Sequence, residues 1–149
     1  RKADAHVFLG DSHQRSILVF DLGFSQTCAD GGQKLGIFVR RAQSADLLAG
    51  IRRSGKVANV FTLPSTNRTL QLKGVDAQVL AFDPDDLPIV EAHVRDLVAE
   101  VTPAGLPEEV VRCLFSFAVD DLVTVVYTPC AAFSQTPGPN AGAPLKGWS

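Results

Sequence analysis

The chain has 149 residues, 46% of them hydrophobic and 20% charged, a composition that fits one ordinary globular domain and is far from that of a disordered segment. Its 14 basic and 16 acidic residues leave a formal net charge of −2, so no positive field exists to gather a nucleic-acid backbone, and no apolar run approaches the length of a bilayer span. Neither nucleic acid nor a membrane is expected as a partner, and the predicted compartment is the cytoplasm.

Residues 16–22 form a short apolar run rich in β-branched and aromatic side chains, which predicts a strand. A polar stretch to Gly32 then predicts a loop. Residues 35–39 predict a second strand, and Asp30-Gly31-Gly32 before it supplies the positive-φ residues of a hairpin turn, so the two strands are expected to pair antiparallel. From Ser44 the period changes. Leu47, Leu48 and Ile51 fall at helical spacing, Ser44 is placed to cap, Asp46 suits the positive end of the helix dipole, and Gly55 ends the helix.

Residues 57–62 predict a buried strand, broken by turn chemistry at Pro64-Ser65-Thr66-Asn67. The strict alternation from Thr69 to Lys73 then predicts a strand with Leu70 and Leu72 on one face and Thr69, Gln71 and Lys73 on a polar, available one. Residues 77–82 continue as a strand. Val90, Val94, Leu97, Val98 and Val101 mark a helix, with His93 on its exposed side. A shorter helix from Pro107 is expected to bury Val110, Val111 and Leu114, and residues 122–128 predict the last strong strand.

Hairpin-linked strands with helices between them predict an α+β class, an antiparallel barrel with flanking helices over residues 1–130. Residues 131–149, with three prolines and three glycines, predict an extended Pro/Gly-rich surface arm that is neither helix nor central strand.

The usual catalytic signatures are missing: no GxSxG, P-loop, HExxH or GxGxxG occurs, and His6, His13 and His93 show no metal-ligand spacing. Cys28, Cys113 and Cys130 are too few and too scattered for a disulfide framework or paired zinc ligands, so reduced thiols are expected and no metal. What remains is a concentration of anion-binding types at two strand ends: Arg40, Arg41 and Ser44 after one, and Ser65, Arg68, Thr69, Gln71 and Lys73 around another. Arginine forks and a helix start suit a phosphate, and the same residues suit a solvated charge cluster equally well.

Three stretches add a further clue. Residues 35–48, from Leu35-Gly36-Ile37-Phe38-Val39-Arg40-Arg41 to Ser44-Ala45-Asp46-Leu47-Leu48, are followed by Ser54-Gly55-Lys56-Val57-Ala58 and then by Arg68-Thr69-Leu70-Gln71-Leu72-Lys73-Gly74. Over residues 16–82 this order resembles the pyridoxamine 5′-phosphate oxidase-like superfamily of FMN-binding split β-barrels. The resemblance implies a homodimer with two FMN sites at its interface, and hence a flavoprotein oxidoreductase whose substrate is unknown. It also implies that Val39 and Arg40 touch the flavin, that Ser44 is the helix-capping serine, and that Thr69 reaches the ring.

Arg41, Arg68, Gln71 and Lys73 complete the expected cofactor site on grounds of charge and position. The sequence departs from the family where its oxidases carry an Arg-Lys pair, because Ala45-Asp46 stands there, and it lacks their C-terminal substrate motif. Vitamin B6 oxidation is therefore not expected. The alternative reading is a non-catalytic flavin- or haem-binding protein, or a dimeric interaction protein of the same fold.

Overall fold

The computed structural model describes the backbone of residues 6–9, 17–20, 22–27 and 33–146, and side chains from 34 to 146. The elements run β1 (His6–Leu9), β2 (Ile17–Phe20), β3 (Leu22–Thr27), β4 (Gln33–Arg40), α1 (Ala45–Ser54), β5 (Val57–Leu63), β6 (Arg68–Gly74), β7 (Gln78–Ala81), α2 (Leu87–Val101), α3 (Glu108–Leu114), β8 (Leu122–Tyr127) and β9 (Ala131–Ser134). Among the described residues every ladder is antiparallel, as the hairpin pattern predicts.

Strands β3-β4-β8-β7 make one sheet, β5-β6-β9 a second, and β1-β2 a hairpin whose first strand runs beside β5 and whose second lies against β4. The chain is thus α+β, with two separate sheets facing each other. Among the described residues no hydrogen-bonded ladder closes them into a barrel.

The apolar run of β4 is continuous because both of its faces are covered. Ile37 and Val39 point into the space between the sheets, where they meet Val123, Val125 and Tyr127 of β8, Phe61 and Leu72 of the second sheet, and Leu48 and Ile51 of α1. Phe38 points the other way, against Val90, Val94, Leu97 and Val98 of α2 and Val111 of α3, and its ring meets Phe82 edge-on at 5.2 Å. The result is three layers, with the β4–β8 pair in the middle one.

Helix α1 crosses from β4 to β5. Gly55 ends it at φ 65°, and a Cβ there would approach the Val75 carbonyl oxygen to 2.7 Å, so both backbone conformation and space call for glycine. Gly74 serves differently: its missing side chain leaves room for the Tyr127 ring, which a Cβ would strike.

Several expectations need correction. The polar stretch after Leu22 begins as strand β3 and not as loop, and the register shift in its pairing with β4 between Leu22 and Gln26 marks an irregularity there. The turn expected at Asp30-Gly31-Gly32 lies outside the described residues, as do Cys28 and His13. Leu47 stays on the solvent side of α1. Of the three residues expected beneath α3 only Val111 is buried, because the helix is two turns long and rests on α2 along a single line. His93 is half-buried on α2.

The arm is not wholly a surface feature. Residues Ala131–Ser134 pair with β6, and Ala132 enters the inter-sheet core at 2% exposure. Residues 142–145 then fold back onto β9, through Ser134 N–H to Ala143 O at 2.9 Å and Leu145 N–H to Ala132 O at 2.9 Å. Sequence composition argued against a strand here because the prolines and glycines cluster at 137–144, just beyond it. Among the described residues no helix is long and apolar enough to cross a membrane.

Candidate functional site

The residues expected to hold a cofactor divide into two groups along the chain, one at the β4–α1 turn and one on β6. The first sits where β4 ends. Val39 lies wholly within the core, paired with Val123, so only its backbone can face a ligand. Arg40 is 8% exposed, and its Nη1 donates to the Ser116 carbonyl at 2.9 Å. Burial pushes its guanidinium below the ordinary arginine value, and the neighbouring Asp121 carboxylate opposes that shift.

Arg41 is exposed, and its Nη2 donates to the Asp120 carbonyl. The turn after it is stitched to the same loop, with Arg41 N–H on Asp121 O at 2.7 Å and Ala42 N–H on Asp121 Oδ1 at 2.8 Å. The 116–121 loop, invisible as a partner in the sequence because it lies almost 80 residues on, therefore fixes where the β4–α1 turn stands.

Ser44 follows that turn. Its carbonyl accepts from Leu48 N–H at 2.9 Å and so opens α1, yet its hydroxyl makes no cap bond. The residue is 2% exposed and its Oγ has no hydrogen-bond partner. A buried hydroxyl without a partner is uncommon, since leaving one unmet costs about 1–3 kcal/mol. It lies at the positive end of a ten-residue helix, although Asp46, exposed in the first turn, brings a negative charge there.

The second group lines β6. Arg68 opens the strand, exposed, with its N–H on Thr66 Oγ1 at 3.3 Å. Thr69, Gln71 and Lys73 share the face turned away from the core, as their alternation predicts, but that face is not bare. Thr69 Oγ1 lies 3.1 Å from Thr62 Oγ1 and donates to Asn67 O at 3.0 Å, and its backbone N–H donates to Thr136 Oγ1 at 2.9 Å. Gln135 Nε2 donates to Gln71 Oε1 at 3.3 Å, and Lys73 Nζ stands 4.5 Å from the centre of the Phe133 ring.

The arm thus brings Phe133, Gln135 and Thr136 to a face that the sequence assigned to β6 alone. The one available signal was that residues 131–136 hold neither proline nor glycine, which leaves room for a short strand before Pro137. No group of three or more histidine, cysteine or acidic side chains able to hold a metal ion occurs among the described residues. Cys113 and Cys130 are free and exposed.

No described protein family matches the chain, and no curated protein sequence does. Among solved structures, the chain is similar to a pyridoxamine 5′-phosphate oxidase-related, FMN binding protein from Nostoc punctiforme PCC 73102, at 14% identity over 91% of this chain and 75% of that one, with a TM-score of 0.39. That likeness is loose.

Proposed function

We propose that this chain is an FMN-binding domain of the split-barrel, pyridoxamine 5′-phosphate oxidase-like type, acting as a homodimer in a flavin-dependent oxidation or reduction. The observation that carries the reading is the Ser44 hydroxyl, enclosed, unpartnered and set at the start of α1, where the sequence resemblance puts the helix-capping serine. An anion held there would meet the free backbone N–H groups of the first helical turn and would give Ser44 Oγ the acceptor it lacks.

The residues fit a phosphorylated, planar group in outline. Arg41 is exposed and spends one N–H on the Asp120 carbonyl, and a guanidinium has five, so donors remain for a phosphate. Thr69 and Gln71 offer polar atoms to a ring lying over β6. FMN, when bound, would supply the hydride chemistry. The chain's own part is to hold the phosphate near Ser44, to orient the ring over β6 and to keep water from one of its faces.

A second reading is that the fold serves a non-catalytic flavin- or haem-binding protein, or a dimeric interaction protein. Asp46 favours it, because a carboxylate in the first turn of α1 opposes an anion at that end. Leu106, Val110, Leu114 and Val119, all exposed around α3, form the kind of flank that a second copy would cover.

Reconstitution separates these readings. Purified protein mixed with FMN and passed through a desalting column should stay yellow, bleach with dithionite and recolour in air. A colourless eluate overturns the flavin reading, and a yellow protein whose flavin dithionite reduces but no nicotinamide cofactor does supports binding without turnover. Sedimentation at micromolar concentration should give a dimer, and a monomer would remove the two-copy part of the proposal.

A further inference from the structure

Gln71 and Gln135 come from strands that meet only in the folded chain, and they share one hydrogen bond, Gln135 Nε2 to Gln71 Oε1 at 3.3 Å. That contact uses one of the four hydrogen-bonding groups that each primary amide carries. It leaves Gln71 Nε2 as a donor and Gln135 Oε1 as an acceptor on two neighbouring side chains. If the two amides are turned over, donor and acceptor trade residues, and the pair still shows one of each.

Phe133 is the register partner of Gln71, so its ring lies on the same face, half-buried, with Lys73 Nζ above it. Thr62 and Thr69 join their hydroxyls further along that face. None of the residues that β5, β6 and β9 place on this face is acidic.

We propose that Gln71 and Gln135 together recognise the edge of a planar heterocycle in which a ring N–H adjoins a carbonyl, an imide or lactam edge. The ring N–H donates to the free amide oxygen while the ring carbonyl accepts from the free amide nitrogen, so two complementary bonds form in one plane. An isolated glutamine offers the same two atoms but spins about its side-chain torsions. Here the mutual hydrogen bond and the anchoring of Thr136 on the Thr69 N–H hold the pair in place before a ligand arrives.

Gln135 is then a binding residue contributed by the arm, and specificity follows from the pair's polarity. A ring alkylated at that nitrogen presents a methyl group to an amide oxygen and leaves it unmet. The identity of the ring as a flavin rests on the reading proposed above, since isoalloxazine carries such an edge at its N3 position.

The test uses the full chain with lumiflavin and N3-methyl-lumiflavin, titrated by fluorescence quenching, in wild type and in the near-isosteric variants Gln71→Met and Gln135→Met, each checked for native circular dichroism. Lumiflavin should bind about tenfold more tightly than its N3-methyl derivative in wild type, and each variant should close that gap. Equal binding of the two flavins to wild type, or a gap that persists in both variants, overturns the pair while leaving flavin binding intact. If neither flavin binds, the flavin reading fails by itself, and uracil, which has the same edge without the flavin, decides the pair. Nitrogen-15 side-chain amide signals of Gln71 and Gln135 that move on adding uracil sustain it, and signals that stay still overturn it.

Discussion

The Asn59 amide donates a 2.9 Å hydrogen bond to the Tyr127 hydroxyl, joining β5 of one sheet to β8 of the other, with both residues wholly enclosed. The pair sits among valine, leucine and phenylalanine, and Asn59 Oδ1 has no partner at all. In such surroundings a half-met amide is more sensitive to losing its neighbour than to being removed with it.

Tyr127→Phe should therefore destabilise the fold by about 1–3 kcal/mol, because it strands the Asn59 amide as well as removing a bond. Adding Asn59→Leu to that variant should recover part of the loss. Urea denaturation of the wild type, the two single variants and the double variant checks this; strictly additive losses would contradict the coupling.

Gly74→Ala should be among the most damaging small substitutions in the chain. Its Cβ would meet the Tyr127 ring and lie 3.1 Å from the Thr128 carbonyl oxygen, neither of which can give way without moving β8. A loss of about 3 kcal/mol in thermal or chemical unfolding is expected. A loss below 1 kcal/mol would mean that the ring has somewhere else to go.

The Asp76 carboxylate gives a pH signature. Its partial burial raises its pKa, but acceptance of the Thr128 N–H at 2.8 Å and the nearby Lys34 outweigh that, and the net shift is downward. A carboxyl whose folded value lies below its unfolded one contributes stability at neutral pH, keeps it down to the unfolded value, and loses it as pH falls through the folded value. Unfolding midpoints of wild type should drop toward those of Asp76→Asn on acidification, so that the difference between them is larger at pH 7 than at the acid end. A constant difference would show that the charge plays no part.

Ser44→Ala separates a cap from a ligand contact. Removing a capping serine ordinarily costs about 1 kcal/mol. The Ser44 hydroxyl makes no cap bond, so the apo-protein's melting temperature should hardly change, while affinity for FMN or for inorganic phosphate should fall several-fold. A large drop in stability with unchanged affinity would make Ser44 purely structural.

Local features made much of the fold legible. Ser44 and Gly55 bracket α1, the valine stripe of α2 lies on the core where its spacing puts it, and the alternation in β6 sorts Leu72 inward and Lys73 outward. Leu47, Val110 and Leu114 were misplaced because periodicity says which residues share a face and not how wide the neighbouring surface is.

At the candidate site the residue types were readable, but their partners were not. Arg40 and Arg41 turn to carbonyls of a loop near residue 120, and Gln71 to an amide of the arm, through contacts that span 64 to 79 positions. A backbone carbonyl has no signature in sequence, so the commitment of those arginines could be found only in three dimensions.

The place of β9 in the second sheet bears on how the protein is made. A nascent chain that has reached only residue 130 has its β6 partner strand β5 but lacks the four residues that cover the other edge, and it lacks Ala132 between the sheets. Until that segment clears the ribosome, the N–H and C=O groups along the outer side of residues 70–73 are open to pairing with a neighbouring chain. Slowed synthesis near that point, or truncation there, would yield aggregates rather than a smaller soluble domain.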